Sequence, residues 1–439
     1  MSESKSKKFT GLNKDEREFF SNMILALSFK YSKQADEYGQ EVDPYGELDV
    51  NTLLDTILKR LNGEGDVDAN ISESLNLTPR QIKERVDEYI VGQDEAKKSL
   101  SVVFFNHLRR ISAYDNAVAL GTDKNFSVGK SSAIMVGPTG TGKTYIVEQM
   151  AKIFDLPVYI ADATTITQSG FVGKSATDLI ENLFVASGKD QKKTERGIIF
   201  LDEIDKLASN KSGKQNSMLE SSQQSLLKLI EGCDVEVDTG EKGHGAPKVT
   251  INTKNILFIL GGAFVGMIDT KEQVKKIGYI DEPIEDSGFV SNNERVMPKH
   301  LIKYGLIPEL VGRITLITKL HHLDEEHLIK ILKETKNNAI EQYRNMFFAD
   351  NIDVVFPEET YQEIAKVAVT LNTGARSLRS IIDYLMVDKI YEIELEGENA
   401  TKEIIVDVDY TSEKLENYKT VETASSSPFK GLDAENADG

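Results

Sequence analysis

The sequence predicts an α/β fold: a doubly wound parallel sheet flanked by helices, with a helical region before it and a mostly helical smaller domain after it. Three observations carry this. Apolar runs at Ala133–Val136, Leu156–Ala161, Gly197–Leu201 and Ile256–Leu260 alternate with stretches of helical periodicity. The third and fourth runs are almost continuously apolar, as befits parallel strands covered on both faces. From Asp324 onward the pattern changes to amphipathic helical stripes, which marks a second domain.

Length and composition narrow the class. A chain of 439 residues can form two or three domains, each with a full core. Apolar residues make up 40% and charged ones 28%, values ordinary for a soluble globular protein. Lys and Arg total 52 against 71 Asp and Glu, a formal charge of −19, which disfavours the basic surface of a nucleic-acid binder. Cys233 is the single cysteine, so neither an intrachain disulfide framework nor a cysteine zinc cluster is expected. The N-terminus, MSESKSKKFTGLNKDE, lacks the apolar core of a secretory signal. No run approaches the roughly 20 apolar residues of a membrane span. A cytoplasmic protein without membrane contact is the expectation.

Residues 1–77 read as a separate helical region. Phe19, Met23, Leu27 and Tyr31 recur at helical spacing, as do Leu54, Ile57, Leu58 and Leu61, with a polar loop around Gly39 between the two stripes. A linker, GEGDVDANISES, follows. Residues 78–318 form the large domain. Thr78-Pro79 supplies an N-cap and a proline for the first helical position, and Ile82, Val86 and Tyr89 line that helix, which ends by Gly92. A second helix is expected from Asp94 to Ile111, then a loop over Ser112–Lys130. His107 on that helix reads as structural rather than as a ligand.

The stretch SSAIMVGPTGTGKTYIVEQ, Ser131–Gln149, holds the first chemical motif. A strand runs into Gly137, Pro138, Thr139, Gly140, Thr141 and Gly142, and Lys143-Thr144 open a helix. Glycines there allow φ > 0 and bring backbone N–H groups toward one phosphate chain, while the helix N-terminus adds its positive dipole end. Lys143 is placed for the β/γ-phosphates of ATP and the Thr144 hydroxyl for Mg²⁺. The second motif, RGIIFLDEIDK, ends an apolar strand in Asp202, Glu203 and Asp205. A carboxylate there, Asp202, binds Mg²⁺ in phosphate-loop enzymes, and its neighbour Glu203 can activate the attacking water. The two motifs together read as an ATP-hydrolysing site.

Further along, Gly170-Phe171-Val172-Gly173 places an aromatic between glycines on a loop, which suits either an anchor in the core or a tip that grips a partner. Ala208–Gln223 reads as a mobile loop, Ser225–Glu231 as a helix, Asp234–Pro247 as a polar excursion, and Lys271–Met297 as a long irregular insertion. One long helix is expected from Asp324 to Phe347 and a short strand at Ile404–Val406. Arg376 opens a helix, where the dipole disfavours a cation, so an anionic partner is implied. The smaller domain spans residues 319–412, and 413–439 reads as a disordered tail, most plainly from Glu422 onward.

From about Thr78 to about Asp409 the chain resembles the ClpX-type AAA+ protein unfoldases of the Clp/HSP100 family. The blocks that carry the resemblance are DEYIVGQDEAKK, GPTGTGKT, ADATTITQSGFVG, RGIIFLDEIDK, QQSLLKLIEG, ILFILGGAF, IKYGLIPELVGR and NTGARSLRS. It implies a P-loop ATPase domain with a C-terminal helical lid, assembled as a homohexameric ring that threads protein substrates through an axial pore. In that likeness Lys143 and Thr144 are Walker A ligands and Asp202 and Glu203 the Walker B pair. Arg313 becomes a finger reaching the neighbouring subunit's nucleotide, and Arg376 the lid arginine that senses the nucleotide in its own subunit. Tyr89, Ile90, Val91 and Gln93 fall in the segment that lines the adenine pocket. Gly170–Gly173 becomes the pore loop, with Phe171 where Tyr is usual.

Departures from the family pattern shape the remaining expectations. No cysteine zinc-binding domain precedes the ATPase, so no structural zinc is expected. The basic loop at the pore entrance is reduced to Lys242-Gly243-His244, and the segment that docks a ClpP-like peptidase reads Ile277-Gly278-Tyr279, with a hydroxyl where the family has Phe. A sensor-1 residue is not assigned, because glycines follow the Ile256–Leu260 strand. The resemblance leaves a peptidase-independent remodeller as an alternative, and a nucleic-acid-directed motor or a non-hydrolysing scaffold as weaker ones.

Overall fold

The computed structural model describes residues 77–119, 128–166, 177–208, 214–238, 248–267, 295–371, 373–394 and 401–425, together with two short strands near the N-terminus. Two units divide the chain, residues 1–66 with 115–126, and residues 67–114 with 127–439. In the first unit β1 (Gln34–Ala35) pairs antiparallel with β2 (Glu41–Val42), flanking the Gly39 loop. The helices expected on either side of that loop lie outside the described residues. Among the described residues no helix is long and apolar enough to cross a membrane.

The second unit opens with α1 (Pro79–Asp87). Its start follows from three residues: Thr78 caps it, Pro79 takes the first position, and Gln81 returns the bond to the Thr78 amide at 2.9 Å. α2 (Asp94–Ala119) runs past the Ile111 end expected from sequence, because residues 112–119 contain no glycine or proline to stop it. A parallel five-stranded sheet follows, in the order β4-β5-β8-β3-β9. Its strands are β3 (Ser132–Val136), β4 (Val158–Asp162), β5 (Ile198–Asp202), β8 (Leu257–Gly262) and β9 (Leu316–Lys319). The doubly wound prediction is met.

Alternation along these strands explains why the sheet needs helices on both faces. Ile134, Ile199, Leu201, Phe258 and Leu260 enter one core, while Ala133, Met135, Ile198, Phe200, Leu257 and Ile259 enter the other. α3 (Lys143–Ile153) and α2 cover the second face. α4 (Thr177–Ala186), the short α5 (Gln191–Glu195) and α6 (Lys214–Glu231) come next in the chain. α4 and α6 supply Ile180, Leu183, Leu226 and Ile230 to the first face. Each fully buried Phe or Ile in such a core is worth about 1.5–3 kcal/mol relative to exposure.

α6 begins at Lys214, well inside the loop expected over Ala208–Gln223. Gln223 is fully buried on it, and its amide bonds to the Leu207 carbonyl (2.8 Å) and the Ile307 N–H (2.8 Å). The polar excursion after Asp234 opens instead as the antiparallel pair β6 (Asp234–Asp238) and β7 (Lys248–Asn252), with Val235 and Val237 buried at alternate positions. Lys242-Gly243-His244 lies outside the described residues. α7 (Pro298–Tyr304) and α8 (Pro308–Gly312) lead into β9.

The smaller domain builds its own core from Leu328, Leu332, Ile364, Ile381, Ile382 and neighbours. The long helix expected over Asp324–Phe347 is two, α9 (Glu325–Glu334) and α10 (Ala339–Phe347). Asn337 adopts φ +60° and Asn338 caps α10 by accepting the Glu341 N–H at 2.9 Å, so the Asn pair breaks the periodicity. α11 (Glu358–Thr370) and α12 (Arg376–Tyr391) follow. β10 (Asp353–Val355) pairs in parallel with β11 (Glu403–Ile405), the strand read from the Ile404 run. α13 (Val408–Ser425) corrects the disordered tail: Leu415 is buried in the core, so packing orders the start of that stretch.

Candidate active site

The C-terminal ends of β3, β5 and β8 meet at one edge of the sheet, where ligands of open α/β folds bind. β3 ends at Val136 and the Gly137 N–H donates to the Gly262 carbonyl at the end of β8 (3.1 Å). The loop then turns through Gly140 at φ +76° and Gly142 at φ +91°. Gly142 is the N-cap of α3 and offers no side chain to its first turn, so those amides face outward without a side-chain cap. Thr141 braces the turn by donating to the Pro138 carbonyl (2.8 Å).

Lys143 is 6% exposed and folds back, its Nζ donating to the carbonyls of Gly137 (2.7 Å) and Pro138 (2.8 Å). Burial pushes its ammonium below the usual lysine range and Arg376 adds to the shift, while Asp202, Asp205 and Glu203 oppose it. The Thr144 hydroxyl donates to Asp202 Oδ2 at 3.0 Å. This pair presents two hard oxygen donors side by side, a set that fits Mg²⁺. Asp202 Oδ1 accepts the Glu203 N–H at 2.9 Å, and Glu203 sits at φ +57°, in the left-handed region uncommon outside glycine. That turn directs Glu203 out of the strand line, with its side chain exposed.

Gly140–Thr144 and Asp202 line a cleft of about 670 Å³ between the sheet edge and the smaller domain, with Glu203 next to Asp202 in the chain. Tyr89, Ile90 and Val91 line the cleft, as does Arg376 from the start of α12, with Leu332 and Leu378 as apolar lining. The cleft thus brings together Tyr89, Ile90, Val91, Gly140–Thr144, Asp202 and Arg376. Gln93 plays another part. Its amide donates to the His321 carbonyl (2.7 Å) and accepts the His321 N–H (3.0 Å), tying the segment after α1 to the connection between the two domains. Lys97, 3% exposed, holds the Ile90 carbonyl at 3.0 Å and pairs with Asp87 at 2.5 Å. Sequence reading missed this lysine, which sits at helical spacing from Asp94 and looks like a surface residue.

The smaller domain touches the phosphate loop directly. The Ala375 N–H donates to the Gly140 carbonyl at 3.1 Å. Gly374 has φ +59°, and a Cβ there would lie 2.6 Å from the Gly140 oxygen. A Cβ on Gly140 would lie 2.0 Å from the Thr373 oxygen, so only glycines permit the contact on either side.

Arg313 is not in this cleft. It caps α8 beside the start of β3, where the Thr315 N–H reaches the Ser132 carbonyl at 3.1 Å. Ser132 begins the five-residue strand β3 and the phosphate loop follows its end at Val136, a rise of roughly 13 Å along the strand. Its guanidinium pairs with Glu231 (Nη2–Oε1 2.6 Å, Nε–Oε1 2.9 Å) and remains 58% exposed. Gly170–Gly173 and Ile277–Tyr279 lie outside the described residues.

Chemically, the cleft combines a backbone cradle for phosphates, a buried cation, a Thr–Asp oxygen pair and a free carboxylate one residue further on. The family AAA domain (Cdc48 subfamily) matches residues 129–317, and the family C-terminal, D2-small domain, of ClpB protein matches residues 323–406. The chain is 40% identical over 326 residues to the ATP-dependent Clp protease ATP-binding subunit ClpX of Borrelia duttonii, covering 72% of this chain and 74% of the relative. It is 38% identical over 372 residues to the protein of the same description from Treponema denticola, covering 82% of this chain and 85% of the relative.

Proposed function

The chain belongs to the ClpX family of AAA+ ATPases, the Clp/HSP100 chaperones, and on that premise we propose that it unfolds and translocates protein substrates as a homohexameric ring. The observation that carries this reading is the separation of Arg313 from the chain's own cleft. An exposed arginine beside the start of β3, at the opposite end of that strand from the chain's own phosphate loop, supports a reading in which a neighbouring subunit presents it and each complete site is an intersubunit one.

Within a site, Lys143 and the amides of Gly140 and Gly142 hold the phosphates, and Thr144 with Asp202 holds Mg²⁺, which neutralises developing phosphate charge when bound. Glu203 takes the proton of the attacking water. Tyr89, Ile90 and Val91 receive the adenine. Arg376 and the Ala375–Gly140 bond carry the change of nucleotide state into the smaller domain. Phe171, between its glycines, grips the polypeptide. Residues 78–318 and 319–412 serve as motor and lid. Ile277-Gly278-Tyr279 docks a ClpP-like peptidase, though the Tyr279 hydroxyl in an apolar pocket weakens the match and favours a remodeller working alone as the second reading.

The test is ATP-dependent loss of fluorescence from a folded, tagged fluorescent protein. Wild type removes the signal with ATP and not with ADP, and Phe171→Ala slows it severely while ATP turnover continues. Unfolding by Phe171→Ala at the wild-type rate sinks the pore-loop assignment.

A further inference from the structure

β8 is the strand between the phosphate-loop strand β3 and the acidic strand β5, so its last residues face the reacting region from the centre of the sheet. Its last two residues, Gly261 and Gly262, offer no side chain to that region. The space is filled by aromatic rings and by carboxylates from the end of β5 and the turn after it. A Cβ on Gly261 would lie 2.7 Å from the Phe200 ring and 3.1 Å from Asp202 Oδ1, and a Cβ on Gly262 would lie 2.6 Å from the Phe264 ring and 2.9 Å from Asp205 Oδ1. Asp205, on the 3₁₀ turn Ile204–Leu207, is 6% exposed, and its Oδ1 accepts the Ala263 N–H at 3.2 Å. Phe264 follows, packed edge-on against Tyr304 with ring centroids 5.0 Å apart, and the Tyr304 hydroxyl donates to the Val265 carbonyl at 3.3 Å. The Gly262 carbonyl meanwhile receives the Gly137 N–H.

We propose that Asp205 is a positioning residue for ATP hydrolysis: its carboxylate takes the place of the missing side chain at the end of β8 and, through the Ala263 amide, sets that end against Gly137 on one side and Asp202 on the other. Charge supports the geometry, since Asp205 also acts on the buried Lys143. The inference rests on the ATPase activity and is independent of the proposed unfolding. A carboxylate held this way fixes the spacing between the phosphate loop and the Asp202–Glu203 pair, and small displacements in such a constellation cost turnover rather than affinity.

Steady-state ATP turnover, affinity for a fluorescent ADP analogue and the thermal midpoint are measured for full-length wild type, Asp205→Ala, Asp205→Asn, Gly262→Ala and the Asp205→Ala/Gly262→Ala double variant. Asp205→Ala lowers kcat at least about tenfold, while KM and nucleotide affinity stay within about threefold of wild type. Asp205→Asn keeps an acceptor for the Ala263 N–H and restores most of that loss. Gly262→Ala crowds both the Phe264 ring and the carboxylate and lowers kcat at least as much as Asp205→Ala, and the double variant is no slower than the slower single one. A kcat for Asp205→Ala within about twofold of wild type overturns the proposal. So does multiplication of the two losses in the double variant, or an Asp205→Asn as slow as Asp205→Ala. If Asp205→Ala does not fold, Asp205→Asn and Gly262→Ala decide, and wild-type kcat in Gly262→Ala overturns the proposal.

Discussion

The Ala375 N–H donates to the Gly140 carbonyl at 3.1 Å, so the first turn of the smaller domain's α12 is bonded to the crown of the phosphate loop. Gly374 permits the contact, having φ +59° and no Cβ to meet the Gly140 oxygen. Gly374→Ala therefore suffers both the left-handed penalty, about 1–2 kcal/mol, and a backbone clash. Nucleotide affinity, measured with a fluorescent ADP analogue, is expected to fall by about tenfold or more. A Gly374→Ser variant fares no better, because the added Cβ and not its polarity causes the damage.

Arg313 provides a test of the intersubunit site. Arg313→Ala binds nucleotide normally and hydrolyses it poorly, with a loss in the range of about 10³–10⁵ that arginine fingers supply. Glu203→Gln is also inactive alone. Mixing the two inactive variants regenerates complete sites where one subunit brings Glu203 and its neighbour Arg313, so turnover partly returns. Mixtures that stay as inactive as either variant place Arg313 outside this role.

Gln93 is a structural tie beside the site. Gln93→Ala leaves the backbone N–H and carbonyl of His321 without their partner, a loss of about 1–3 kcal/mol, which thermal unfolding reads as a lowered midpoint. Gln93→Glu accepts the His321 N–H and cannot donate to its carbonyl, so it falls between wild type and Gln93→Ala.

Acid sensitivity has an identifiable source in His107. Burial pushes its pKa down from 6.5 to about 4, and Lys130 and Arg110 add to this, while the Arg196 carbonyl, 3.0 Å from Nε2, opposes it. Between these two values the unfolded chain binds the proton that the folded chain refuses. Stability from the neutral imidazole is therefore complete above pH 6.5 and is lost as pH falls toward 4, by about 3 kcal/mol in all. The thermal midpoint of wild type drops more steeply over that window than that of His107→Gln, whose amide can still donate to the Arg196 carbonyl.

The sheet and the two nucleotide motifs were legible in the sequence because their chemistry is local. The run Ile198–Leu201 needs burial on both faces, and the spacing from Gly137 to Thr144 needs a turn with free amides. Elements set by alternation or by single caps were not legible. Val235 and Val237 alternate over too few residues to stand out from a polar stretch. The break at Asn337-Asn338 is a capping event inside a continuous apolar stripe. α13 is weakly amphipathic and is ordered by Leu415 packing into a core formed far away in sequence. Lys97 escaped notice, and Asp205 was read only as a member of the acidic cluster, for a related reason: each acts on the backbone of a distant segment, at Ile90 and at Ala263, and only folding brings those groups together.

The central claim is that this cleft hydrolyses ATP with Glu203 as the base, and single-turnover hydrolysis tests it most directly. Glu203→Gln is expected to bind ATP with wild-type affinity and to hydrolyse it at least about 10²-fold more slowly. A Glu203→Gln rate within about threefold of wild type would contradict the account, because Glu203 is the group proposed to take the proton of the attacking water.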